Sequence, residues 1–175
     1  LLTVTGVQTC ALPIWPGGAH VLEAGLSREE GTLSTRVDNT SDWRFGNPSG
    51  FASLFAGKTR NDALYLQDSW ELSDAWQVVL GLRNEHWQAF DGRTESAYTG
   101  SADKGLCSTD SRRCVLAHAA RSLDALSPKA ALSHQLNDAW VLKASTGRAV
   151  RFPTVSELYQ GGVDSKTGGA KIGRA

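Results

Sequence analysis

The residues best suited to chemistry are two cysteines in a polar segment, Cys107 and Cys114 in the run CSTDSRRC. Two cysteines this close in a polar loop favour a small disulfide ring in an oxidising compartment. Two other interpretations stay open: a pair of free thiols, or half of a metal site. Zinc ligand pairs usually lie closer together and need a second pair, which the chain lacks. We expect the disulfide, with Arg112 and Arg113 inside its ring as donors suited to an anionic ligand.

No other residues form a recognisable catalytic or metal-binding set. The run AGKT at 56–59 resembles the end of a phosphate-binding loop, but Ala52 stands where that motif needs a glycine. No Ser/His/Asp or paired-carboxylate arrangement has a supporting context. No spacing typical of a metal-binding pair occurs among His20, His86, His118 and His134. We therefore expect no enzyme activity, no cofactor and no metal.

The composition excludes two classes of partner or fold. Eighteen Lys and Arg balance eighteen Asp and Glu, so the clustered basic surface of a nucleic-acid-binding protein is not indicated. No apolar run reaches the roughly 20 residues that a membrane-spanning helix needs. The strands of a membrane β-barrel are shorter and only alternately apolar, so the composition does not exclude a membrane β-barrel.

An internal repeat predicts two β-hairpins. The runs WELSDAWQVVLGLR (70–83) and SHQLNDAWVLKASTGR (133–148) share the core Leu-[Ser/Asn]-Asp-Ala-Trp. In each, a short polar turn separates two strand-like runs, and Asn, Asp and Ser are residues that favour tight turns. The run HVLEAGLS from His20 is also expected to be a strand.

The strand-like runs alternate with a period of two, which is typical of a strand with one apolar face. One face carries Gln77, Gly81, Arg83 and Glu85, with Val79 as an exception. If the strands belong to a barrel, we expect Arg83 and Glu85 to line its lumen. The opposite face of the first hairpin is apolar except for Asp68 and contains Leu64, Leu66, Trp70, Leu72, Trp76, Val78, Leu80 and Leu82.

The connections on the other side of these hairpins are long and polar, approximately 28–60 and 91–125. We expect 91–125 to be an extracellular loop between strands at 76–90 and 126–136. Long loops on one side and short turns on the other are typical of an outer-membrane barrel. We therefore predict an all-β antiparallel meander of about five strands, a partial segment of a transmembrane β-barrel with long outer loops and short periplasmic turns. The run SELY after Pro153 could begin a short helix capped by Ser156, but we expect an outer loop.

Two runs of the sequence resemble the barrel of TonB-dependent outer-membrane receptors. The first motif, Tyr-x-Gln-Asp-x-Trp before a turn and Gly-Leu-Arg-x-Glu after it, is present here as Tyr65, Gln67, Asp68 and Trp70, then Gly81, Leu82, Arg83 and Glu85. The second is present as Ser127-Pro128-Lys129, then Gly147-Arg148-Ala149, Arg151, Pro153-Thr154 and Glu157-Leu158-Tyr159. Neither a plug domain nor a TonB box is recognisable.

The resemblance implies a receptor in the bacterial outer membrane that takes up a nutrient ligand of unknown class by energy-coupled transport. It implies three partners: the nutrient, outer-membrane lipid, and a TonB-type energy-transducing protein that acts through a plug. The alternative is a secreted, soluble β-sandwich that binds carbohydrate, in which the apolar faces would pack on each other.

The DNA sequences that could encode the two ends of the chain are related in a way that protein structure and function do not require. A DNA string that encodes Ala11-Leu12-Pro13-Ile14 has a reverse complement that, when it follows two A nucleotides, reads Lys171 to Ala175, and residues 6–10 fit the upstream continuation of a common sequencing adapter. We expect 1–14 and 171–175 to be adapter-derived and irregular, and 15–170 to be a partial receptor-like barrel.

Overall fold

The computed structural model describes residues 2–13, 19–42, 44–97, 107–108, 113–163 and 170–172, and side chains within 19–42, 44–97 and 113–161. The strands are β1 (Leu2–Pro13), β2 (Ala19–Thr40), β3 (Pro48–Ser73), β4 (Trp76–Ala97), β5 (Cys107–Ser108), β6 (Arg113–Ala117), β7 (Arg121–Asn137), β8 (Trp140–Gly147), β9 (Gly161–Val163) and β10 (Ala170–Ile172). One helix, α1, spans Val155–Tyr159.

Strands β1 to β8 form one antiparallel sheet that is not closed within the described residues. The order begins β1-β2-β3-β4, and β4 then pairs with β7 over Trp76–Ala89 and with β6 over Arg93–Ala97. Strand β8 pairs with β7, β5 pairs with β6, and β9 and β10 form a separate pair. The predicted antiparallel meander is confirmed, and its five long strands after the first segment are β2, β3, β4, β7 and β8.

The two predicted hairpin turns are confirmed. Asp74 and Ala75 join β3 to β4, and Asp138 and Ala139 join β7 to β8. In the second turn the side-chain oxygen of Asn137 accepts a hydrogen bond from the Ala139 amide at 2.9 Å. This is the local contact for which asparagine is favoured in tight turns.

The two faces of the sheet differ in polarity. Residues are assigned to a face by the strand register, because directly opposite residues of neighbouring strands share a face. We call the face that carries Leu64, Leu66, Leu80 and Leu82 the apolar face, and these four side chains are 45–53% exposed. The other is the polar face, which carries Arg83 and the buried Glu85. The predicted division of β4 into two faces is confirmed by this register.

A β-bulge in β4 changes which residues lie on the polar face. Asp91 and Gly92 together lie opposite Gly57, between the pairs Lys58↔Phe90 and Ala56↔Arg93. Asp91 has a φ of 55°, a left-handed conformation in which Asp is enriched. Before the bulge, odd-numbered residues such as Ala89 are buried on the polar face, and after it even-numbered residues such as Thr94 are buried.

The strands are longer than the sequence pattern predicted. Strand β2 runs to Thr40 and β3 begins at Pro48, so most of the segment 28–60 is strand rather than loop. Strand β4 continues to Ala97 and β7 begins at Arg121, so the expected loop 91–125 also contains strand. The extensions of β2 and β4 are largely polar, and the start of β3 has apolar residues on both faces (Phe51, Leu54 and Phe55), so none of them shows the period-two apolar signal on which the prediction relied.

The expectation that both end segments are irregular was wrong. Residues 2–13 form β1, which pairs with β2, and Ala170–Ile172 pairs with β9. The open edge of a sheet presents backbone groups that pair with an extended segment of almost any sequence. Pairing therefore says nothing about origin, and the adapter origin of 1–14 and 171–175 stays a prediction that the source DNA can test.

The expected outer loop after Pro153 contains a short helix instead. Thr154, not Ser156, is the N-cap of α1, and Thr154 and Glu157 form a reciprocal capping box. The helix packs on the polar face through the buried residues Leu158 and Tyr159. Among the described residues, no helix has the length and apolar character to cross a membrane.

Candidate functional site

A strap formed by residues 148–160 lies across the polar face beyond β8. It starts where the Arg148 amide donates to the Pro128 carbonyl at 2.9 Å. Phe152 then stacks on Trp87 with ring centroids 5.8 Å apart and planes 4° apart. Leu158 and Tyr159 complete a small core with Trp87 and Ala89. The strap is therefore fixed to β4 by aromatic packing.

Tyr159 occupies a depression that two glycines leave in the polar face. A Cβ atom at Gly57 or at Gly92 would overlap the Tyr159 ring. Gly57 is in β3 and Gly92 is at the β4 bulge, so the ring bridges two strands. Burial raises the pKa of the Tyr159 hydroxyl, because a phenolate loses hydration there.

His118 lies beside this ring, at the joint between β6 and β7. Its ring centroid is 6.0 Å from that of Tyr159, and its Nε2 is 2.9 Å from the Thr94 hydroxyl. The His118 amide donates to the Gly92 carbonyl at 2.7 Å. Burial, and secondarily the positive charge of Arg121, lowers the pKa of His118, so the structure favours the neutral imidazole.

A buried carboxylate organises the polar face next to this core. Glu85 is 8% exposed, and its Oε1 lies 3.0 Å from Arg83 Nε. The amide nitrogen of Asn61 donates to the same oxygen at 3.1 Å. The predicted lumen-facing pair is thus brought together, and Arg83 is oriented by Glu85. Within the described side chains, Asn61 Oδ1 and Ser127 Oγ are buried and have no hydrogen-bond partner.

A cavity of about 500 Å³ opens between this wall and the start of the strap. Its charged lining residues are three cations and one carboxylate: Arg83, Lys129, Arg148 and Glu85. The stem of Lys129 lies flat on Gly81, where an added Cβ would be 2.5 Å from Lys129 Cε. A cavity of this size with a few convergent polar groups is typical of small-molecule sites.

The apolar face ends at a row of charged residues that crosses four strands. Arg28, Asp62, His86 and Asp124 lie directly opposite one another in succession on β2, β3, β4 and β7. Arg28 and Asp62 form an ion pair, and His86 Nδ1 lies 2.6 Å from Asp124. His86 is therefore part of a charge row at the apolar boundary.

The short-turn end of the apolar face carries stacked aromatic pairs. Trp76 and His134 have ring centroids 3.8 Å apart, and His20 and Trp70 have centroids 5.0 Å apart. Aromatic residues at the edge of an apolar band are typical of strands that span a membrane.

A family model described as TonB dependent receptor-like, beta-barrel matches residues 8–174. The match covers far more than half of the chain. The chain belongs to this family. No curated protein and no solved structure matches it. TonB-dependent receptors are an outer-membrane family, so the resemblance in the motifs and the prediction of a partial transmembrane barrel are both confirmed.

The predicted disulfide of this TonB-dependent receptor barrel lies at the edge of the described region. Cys114 is disulfide-bonded, and its Cα partner across the β5–β6 pair is Cys107. The side chain of Cys107 lies outside the described residues, so its identity as the bonded partner stays a prediction.

Of the two arginines predicted as ligand contacts, the structure describes only Arg113. Arg112 lies outside the described residues. Arg113 Nη1 is 3.4 Å from Glu95, and its guanidinium carbon lies 4.1 Å from the centre of the Phe51 ring. Arg113 is thus held against β3 and β4, and a ligand role for either arginine stays a prediction.

Sequence reasoning missed the residues that build the core of the site in this receptor barrel. Tyr159 was visible only as part of a motif, and nothing in the sequence linked it to Gly57 and Gly92. Lys129 and Arg148 belonged to the second motif but had no assigned role. Within the described side chains, no group of three or more His, Cys, Asp or Glu could hold a metal ion.

Proposed function

We propose that the protein is an outer-membrane receptor that takes up a nutrient by energy-coupled transport. The single observation that carries this proposal is the division of one sheet into a polar wall with a strap and an apolar band with charged and aromatic borders. The family supports the same role, because its members are outer-membrane receptors.

The height of the apolar band agrees with a bilayer. On β7 the band extends from Leu126, next to the charged row, to Leu136, next to the turn. Ten residue-to-residue steps of about 3.4 Å each, tilted by roughly 40°, give about 26 Å. The apolar band of an outer-membrane barrel is about 25 Å tall.

The partners follow from this assignment. The apolar face meets outer-membrane lipid, and the polar face lines the lumen through which the nutrient passes. A TonB-type protein supplies the energy. The protein acts as a transporter and not as an enzyme.

The alternative, a soluble β-sandwich that binds carbohydrate, is not favoured. A sandwich needs a second sheet packed on the apolar face. Within the described residues, the side chains of Leu64, Leu66, Leu80 and Leu82 are about half exposed and α1 packs on the opposite face. The family match also assigns the chain to membrane barrels.

Uptake in cells tests the proposal. A strain that lacks the receptor gene should grow more slowly than its parent on one limiting siderophore, vitamin, carbohydrate or peptide, and the gene on a plasmid should restore growth. Inactivation of TonB, or a protonophore, should abolish uptake in the complemented strain. Recovery of the protein in the soluble fraction, or uptake that is indifferent to TonB, would contradict the proposal.

A further inference from the structure

The cavity under the strap has an excess of positive charge that the ion pairs of the described residues do not neutralise. Three cations and one carboxylate line it. Glu85 is engaged by Arg83 and Asn61. Among the described side chains, no carboxylate lies within ion-pair distance of Lys129 or Arg148.

The donors of this cavity converge from two neighbouring strands. Ser127 lies directly opposite Arg83, and Lys129 lies directly opposite Gly81. Because Gly81 has no side chain, the Lys129 stem can lie along the wall, and Lys129 is one of the residues that line the cavity. Ser127 Oγ is buried there without a partner among the described residues. A buried hydroxyl that lacks a partner carries a free-energy penalty, which a ligand oxygen would relieve.

The orientation of Arg83 adds to this arrangement. Its ion pair with Glu85 is made through Nε, and a guanidinium has five N–H donors in a planar fork. Carboxylate and phosphate groups match such a fork, and Lys binds phosphate as a point charge.

We propose that this cavity is an anion-binding subsite, in which Lys129, Arg83 and Ser127 bind a carboxylate or phosphate group of the transported ligand. The proposal rests on the proposed transport function, because it names the chemical class of the nutrient. The volume of about 500 Å³ leaves room for a small molecule and not only for an inorganic ion.

Calorimetric titration of the intact receptor, purified in detergent, tests the subsite with three probes: citrate, inorganic phosphate and glucose. We expect citrate or phosphate to bind and glucose not to bind. Lys129→Met should weaken binding of the anion by about tenfold or more, since a charge-assisted contact is lost. Lys129→Arg should keep most of the affinity because it keeps the charge.

Lys143→Met is the matched control. It removes the same charge from β8, opposite Ser133 and outside this cavity, and it should leave the affinity within about twofold. Ser127→Ala provides a second variant should Lys129→Met not fold, and it should weaken anion binding severalfold. Equal affinities in the Lys129→Met and Lys143→Met receptors, equal binding of glucose, or no binding of either anion at millimolar concentration would each overturn the subsite. Because uptake is measured in cells and the subsite in purified protein, TonB-dependent uptake without anion binding would reject the subsite alone.

Discussion

The ring of Tyr159 rests on the backbone of Gly57, in a space that no other residue at position 57 could leave open. This contact joins α1 to β3, far from it in sequence, and places the strap over the polar face. The same ring covers Gly92 at the β4 bulge. The conformation of the strap thus depends on glycine at positions 57 and 92, where a side chain would occupy the space of the Tyr159 ring.

Gly57→Ala should therefore displace Tyr159 and loosen the strap. Overpacking a well-filled site costs about 1–3 kcal/mol, and we expect a loss of stability in that range. Gly50→Ala is the matched control, because it lies in the same strand with nothing within 4 Å of the added Cβ. Thermal unfolding of the purified receptor measures both. Equal effects at the two positions would show that the Tyr159 ring is not tightly packed against Gly57.

Leu80→Arg should destabilise the receptor strongly if the apolar face meets lipid. The expected cost is about 2–4 kcal/mol near the midplane of a bilayer. Gln77→Arg, an exposed position on the polar side of the same strand, should change stability by less than about 0.5 kcal/mol. Equilibrium unfolding in lipid vesicles compares the two. A larger effect at position 77 would mean that the assignment of the faces is reversed.

Acid should weaken the packing around His118. Its pKa is lowered in the folded protein, so the unfolded chain binds the proton more tightly. The contribution of His118 is fully present above its usual pKa of about 6.5 and falls as the pH drops below that value. We expect wild type to lose more stability than His118→Asn between pH 7.5 and pH 5.5. Parallel loss in both proteins would assign the acid sensitivity to other groups.

Glu157 should not disturb that comparison. A backbone hydrogen bond from Thr154, with an additional contribution from Arg151, lowers its pKa. A lowered carboxyl pKa contributes stability that is lost only below the usual value of about 4.3. The window from pH 7.5 to pH 5.5 lies above this value, so the titration of His118 is observed separately.

Cys107 should be the partner of Cys114. Thiol labelling of intact cells with an impermeant reagent, in a receptor whose only cysteines are Cys107 and Cys114, tests this. We expect no labelling before reduction and labelling after it. Cys107→Ser should make Cys114 reactive without any reductant. Labelling of the unreduced parent would refute the bridge, and no labelling after reduction would place this segment on the periplasmic side.

The sequence by itself determined the class of fold and the faces of the central strands. A period-two pattern such as that from Trp76 to Leu82 reflects the geometry of a single strand, and a turn such as Asn137 to Ala139 is stabilised by contacts within a few residues. Both signals are local, so they can be read without a structure. The family motifs around Arg83 and Arg148 extended this reading to the outer membrane.

Only the tertiary structure decided where the strands end and what they surround. The extensions of β2, β3 and β4 lack a regular alternation of apolar and polar residues, so their ends are decided by backbone pairing with neighbours that are distant in sequence. The packing of Tyr159 involves residues 57, 92 and 159, and the cavity is lined in part by residues 83, 127, 129 and 148. Contacts of this kind are set by register across strands, and a bulge at Asp91 shifts that register by one residue. No local pattern encodes such a shift, because it depends on how two separate strands align.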